Sequence, residues 1–149
     1  MVNDVNVRYI KLNEFAKAPS YANGNAAGAD LYAATSAPLT IKPSETVLVG
    51  TGIATEIPEG YVGLVFARSG LASKKGLAPA NKVGVIDSDY RGEIKVAIHN
   101  HSSEDQTIDA GERIAQLVIT PYVHANFEFS QKLTETDRGA GGFGSTGSK

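Results

Sequence analysis

At 149 residues and 15.6 kDa, the chain suffices for one domain that buries about 70% of the surface its unfolded form would expose; a second domain is not expected. A formal net charge of −2 and a pI near 5.9 exclude the basic face that a nucleic-acid backbone demands, and the absence of cysteine excludes disulfides and thiolate zinc sites and favours a cytoplasmic location. No run in Met1–Tyr9 suits a signal peptide, and the most apolar stretch, Tyr61–Ala67, falls far short of the roughly 20 residues that cross a bilayer, so no membrane partner is expected.

In chain order, Val5, Val7 and Tyr9 alternate with polar neighbours and predict a first strand. Asp30, within Ala27-Gly28-Ala29-Asp30-Leu31, opens another, where its carboxylate is either a turn residue or a group that orients the waters of a metal. Thr46–Val49 and Gly52–Ile57 are β-branched runs, and Tyr61–Phe66 follows the turn Pro58-Glu59-Gly60. Only Ser69–Lys75 predicts a helical turn or two. Ile94, Val96 and Ile98 alternate with Lys95, Ala97 and His99; Arg113–Ile119 predicts a largely buried strand and Asn126–Phe129 a short terminal one. Many short strands at close spacing predict an all-β fold, a jelly-roll-like sandwich or barrel, over residues 1–136. Residues 137–149 differ: five glycines accompany a single large apolar side chain, Phe143, too little apolar surface to offset ordering entropy, so a flexible arm is expected there.

Four segments carry candidate chemistry. Arg68 and Ser69 follow an apolar strand and could hold phosphate through side chains and free amides, although an N-cap serine beside a solvated arginine accounts for the same letters. If Val83 and Val85 face an apolar wall, period-two alternation puts Asp87 on that face, where partial desolvation would make it a better base. On composition alone Asp87-Ser88-Asp89 is better read as a plain hairpin turn. His99, His101 and His124 could be imagined on zinc, but solvated histidines are the simpler account. In the tail, Gly139, Gly141 and Gly144 fit a dinucleotide fingerprint by letter alone, since no strand precedes them and no helix can follow. The mixture of glycines with Arg138, Phe143, Ser145 and Thr146 still suits a flap over a nucleotide.

In order and spacing these segments resemble the five motifs of the trimeric dUTP diphosphatases, or dUTPases. The matching pieces are Ala27–Leu31, Arg68-Ser69-Gly70-Leu71-Ala72, Gly84–Glu93, Gly111-Glu112-Arg113-Ile114-Ala115-Gln116-Leu117 and Arg138–Gly147. Ala67 departs from the proline that the family often carries before the arginine. The resemblance implies a homotrimer with shared active sites, each closed by a carboxy-terminal arm, and Mg²⁺-assisted hydrolysis of dUTP to dUMP and pyrophosphate. It implies that Asp87 activates the water attacking the α-phosphorus and that Gln116 helps to place that water. Arg68, Ser69 and Gly70 would hold phosphates, and Asp30 would bind the water shell of the metal, whose direct ligands are mainly substrate phosphates. Asn81, Gly84, Val85 and Ile86 would read uracil, and Tyr90 would pack on the deoxyribose. Phe143 and Gly144 would cover the base, while Arg138, Ser145 and Thr146 grip the γ-phosphate. Two alternatives stay open: a dCTP deaminase-type relative, and a catalytically silent nucleotide-binding module.

Overall fold

A computed structural model describes residues 4–142. Short extended segments, each ended by a turn, run through it in the order β1 (Arg8–Lys11), β2 (Ala29–Tyr32), β3 (Leu39–Ile41), β4 (Thr46–Glu56) and β5 (Tyr61–Phe66). There follow the single helix α1 (Ser69–Lys75), then β6 (Leu77–Pro79), β7 (Val83–Ile86), β8 (Glu93–Asn100), β9 (Gln106–Ile108) and β10 (Arg113–Pro121). They pair into two four-stranded sheets, β1-β4-β8-β6 and β2-β10-β5-β7, and a two-stranded β3-β9 ribbon. Every pairing is antiparallel, and no sheet closes on itself. The architecture is therefore a jelly-roll-like open sandwich rather than a barrel.

Alternation decides which faces meet. In β8, Ile94, Val96, Ile98 and Asn100 are buried while the residues between them are less so, and they pack with Leu31, Ile41, Val49, Val65, Ile108, Ile114 and Leu117 in one core. Asn100 is the polar member of that row, and its amide is fully used. Its Nδ2 donates to Ile41 O at 2.9 Å and Glu104 O at 2.7 Å, and its Oδ1 accepts from the Ser102 amide and hydroxyl. The two β-branched runs before Ile57 prove to be one strand, β4, bent at a bulge between Gly50 and Ala54. Gly52 takes a left-handed φ of 64° there, and its amide donates to Glu93 Oε1 at 2.9 Å.

Two expectations fail for stated reasons. Asn126–Phe129 is not a strand within this chain. It pairs with no strand among the described residues, and Phe127 and Phe129 stand 95% and 94% exposed. The wall expected beneath Val83 and Val85 is also absent. The half-buried residues of β7 are Gly84 and Ile86, because Gly84 sits close on Val65 of the neighbouring strand. Val83, Val85 and Asp87 consequently share the outer face, and Asp87 is exposed.

Candidate active site

One cluster of candidate residues lies where three strands stand level. The register pairs Gln116 on β10 with Asp30 on β2 on one side and with Phe66 on β5 on the other. Just past Phe66 the chain turns into α1, so Arg68 and Ser69 come to rest beside Gln116 and Asp30. Together with Gly28 and Val118 they line an open cleft of about 370 Å³.

The polar groups of this cleft are held firmly. Arg68 Nε donates to Asp30 Oδ1 at 2.7 Å, and Arg113 Nη1 donates to Oδ2 at 3.2 Å. Asp30, only 8% exposed, is thus a buried carboxylate held between two guanidinium groups. The second arginine was not singled out from the sequence. It lies three residues before Gln116 in Glu112-Arg113-Ile114-Ala115-Gln116, and only the pairing of β10 with β2 brings it to Asp30. Gln116 Nε2 donates to Ala67 O at 2.8 Å. On its other side the amide presses on Gly28, where an added Cβ would overlap its Oε1 and come within 3.1 Å of its Cδ. Arg68 occupies the N-cap position of α1 with extended backbone and makes no side-chain cap. The first helical bond is Ala72 N to Arg68 O, so the amides of Ser69 and Gly70 have no acceptor within the helix. A Cβ on Gly70 would meet nothing, so its backbone is open to a ligand.

Asp87 lies elsewhere. Val83 is level with Phe66 and, through it, with Gln116, whereas Asp87 stands beyond Ile86 at the far end of β7. At about 3.3 Å per residue and about 4.8 Å per strand, Asp87 and Gln116 of one chain are about 16 Å apart. Asp87 borders a separate, wider groove shared with Val85, Leu64, Tyr61 and Arg91. Its turn is braced: Tyr90 N donates to Asp87 O at 3.2 Å, and Arg91 Nη1 donates to Ser88 O at 2.7 Å and Tyr90 O at 3.0 Å. Asn81 is exposed beside the start of the same strand, and its carbonyl accepts from the Val83 amide at 2.7 Å.

Arg138 lies in an exposed turn in which its Nε donates to Gly141 O at 2.8 Å, so it joins neither half. Phe143, Gly144, Ser145 and Thr146 lie outside the described residues. The histidines do not converge: His99 Nδ1 pairs with the Thr46 hydroxyl at 2.8 Å, His101 meets it edge-on at 4.4 Å between ring centroids, and His124 borders the groove of Asp87. Among the described residues no three metal-ligating side chains gather, and no helix is long and apolar enough to cross a membrane.

Fold and clefts together define a jelly-roll β protein built to hold an anionic ligand at a strand end, with a separate hairpin carboxylate. The family model described as dUTPase matches residues 14–147, and the chain belongs to the dUTPase family. It is 53% identical over 144 residues to the deoxyuridine 5'-triphosphate nucleotidohydrolase of Desulfitobacterium hafniense, covering 96% of this chain and 95% of that one. It is 50% identical over 135 residues to the protein of the same name from Rickettsia bellii, covering 91% and 90%. Among solved structures it resembles a point mutant of the dUTPase of Staphylococcus bacteriophage 80alpha with dUpNHpp, at 29% identity and a TM-score of 0.84 over 95% of this chain and 98% of that chain. It also resembles a dUTPase variant from phage phi11 of S. aureus, described with a structural Mg(II) ion, at 27% identity and a TM-score of 0.76 over 86% and 98%.

Proposed function

We propose that the chain hydrolyses dUTP to dUMP and pyrophosphate in a homotrimer, with Asp87 of one subunit and the Arg68–Gln116 cleft of another serving one substrate. The observation that carries this is the separation of the two halves. About 16 Å between Asp87 and Gln116 of one chain is too far for both to act on one phosphorus, so a second copy has to supply the missing half. The exposed apolar face supports it: Val85 is 62% exposed beside Asp87, and the apolar side chains Val123, Phe127, Phe129 and Leu133 beyond β10 lie uncovered in the single chain.

In the assembled site Asp87 takes a proton from water as its oxygen attacks the α-phosphorus. The bond from that phosphorus to the bridging oxygen breaks, and pyrophosphate leaves. Gln116, with its amide fixed between Ala67 O and Gly28, contributes a preorganised group beside the reacting oxygens. Arg68, Ser69 and the Gly70 amide hold the phosphate chain, with Arg68 already oriented by Asp30. Tyr90 packs on the deoxyribose, and the backbone of Asn81, Gly84, Val85 and Ile86 reads the uracil edge. Arg138, Phe143, Gly144, Ser145 and Thr146, in the arm 137–149, close over base and γ-phosphate.

The residues fit a magnesium ion brought in by the substrate. Each Asp30 oxygen accepts one arginine bond, and each keeps a lone pair for a metal-bound water. Mg²⁺ bound with the triphosphate would offset phosphate charge as the leaving group departs. We place the reaction in the cytoplasm. The test is a nucleotide panel assayed for pyrophosphate with and without Mg²⁺. Release from dUTP that requires Mg²⁺ is expected, whereas ammonia from dCTP, or no release from any nucleotide, refutes the proposal.

A further inference from the structure

Tyr90 does not project freely from its turn. Its ring folds back over Gly92, and its hydroxyl donates to Glu93 O at 3.0 Å. The glycine makes the room. The three heavy atoms nearest to a Cβ at position 92 all belong to Tyr90: the Oη, in direct overlap, then Cζ at 2.6 Å and Cε2 at 3.0 Å. The φ of Gly92 lies outside the left-handed region, so alanine meets no backbone strain there and its first obstacle is the tyrosine ring.

The far edge of the ring is tied down as well. Glu93 begins β8, and its carboxylate accepts the Gly52 amide at 2.9 Å while lying over Gly50. Next along, Ile94 O accepts the Thr51 hydroxyl at 2.7 Å. The acceptor of the Tyr90 hydroxyl is therefore pinned to the bulge of β4, and the ring is held between a glycine seat and a fixed carbonyl.

A steric wall rejects an added hydroxyl only as far as the wall refuses to yield, which is why simple pockets discriminate poorly against one extra hydroxyl. We propose that Gly92 is a specificity-determining residue: by seating the Tyr90 ring against the backbone, it fixes the wall that excludes a 2′-hydroxyl, and Glu93 anchors that wall to β4. This rests on Tyr90 packing on the deoxyribose. Gly92 touches no part of the substrate and acts through Tyr90, as a positioning residue.

The experiment compares kcat/KM for dUTP and UTP, by pyrophosphate release from the assembled enzyme, in the parent, G92A, Y90A and the double variant. G92A is expected to narrow the dUTP-to-UTP ratio by about 10- to 100-fold, the range in which small misplacements of a positioned group are felt. Y90A should narrow it at least as much, and G92A added to Y90A should narrow it no further. If Y90A narrows the ratio and G92A does not, Gly92 has no such role while the sugar-facing tyrosine stands. If Y90A leaves the ratio intact, the placement of the tyrosine on the sugar fails and the seat fails with it. An equal effect of G92A in the Y90A background shows that Gly92 acts by another route and overturns the proposal. Should G92A not assemble, Y90F probes the same seat by removing the bond to Glu93 O, and an unchanged ratio overturns it.

Discussion

If Asp87 and Gln116 serve one substrate from different subunits, two dead enzymes should make a live one. D87N removes the base and is expected to cost about 10²- to 10⁴-fold in turnover; Q116A removes the fixed amide and should likewise cripple every site of its own trimer. Co-expressed at equal levels under two affinity tags, the chains assemble at random. A site is then intact when its Asp87 comes from a Q116A chain, a chance of about one half, and its Gln116 from a D87N chain, again about one half. The mixed pool should therefore recover about one quarter of parental activity, and trimers purified through both tags, each with one intact site, about one third. The strand spacing supports this, because Asp87 and Gln116 lie about 16 Å apart along the backbone of one sheet. Pyrophosphate release from the doubly purified trimers is the assay. Activity no greater than that of the parent variants would mean that both residues act within a single subunit, and the division of the site would be wrong.

A methyl at position 28 would press on Gln116, so G28A should lower kcat by up to about 10²-fold while changing KM much less; an unchanged kcat in a folded trimer would show that the amide is not positioned by this contact. His101 has its pKa lowered from the ordinary 6.5 by desolvation, then by His99 and Lys82, so the unfolded chain takes up the proton more readily and wild-type stability falls as pH drops through 6.5. H101Q removes that component, and its melting temperature should gain on the wild type as pH falls; parallel curves would refute the assignment. Deleting residues 138–149 should reduce activity severely with little change in melting temperature, since composition gives that stretch almost no apolar surface to bury; a large fall in melting temperature would make it structural.

Much of the fold was legible because alternation is a local signal. Ile94, Val96 and Ile98 announce a half-buried strand to anyone counting in twos, and Ser69–Lys75 emerges as the one helix among the described residues. Parity failed at Val83–Asp87, where both faces carry apolar residues and only the close approach of Gly84 to Val65 chooses between them. It failed again at Asn126–Phe129, whose pattern is that of a strand although it joins none among the described residues. The candidate site divided along the same line. Arg68, Ser69, Asp30 and Gln116 could be named singly, but their meeting depends on the register of β10 against β2 and β5, which no local window contains. The bond from Arg113 to Asp30 depends on the same register.

These two failures of parity share a feature. Val83, Val85, Phe127 and Phe129 obey strand patterning and yet face solvent, which fits the proposed assembly, in which another chain would cover such apolar surface. On the proposed division of the site, one subunit carries the Arg68–Gln116 cleft and the groove of Asp87 lies apart from it. The proposed dependence of catalysis on assembly rests on the register of one sheet, because the strands that align Asp30, Gln116 and Phe66 carry Asp87 to the opposite end of the same layer.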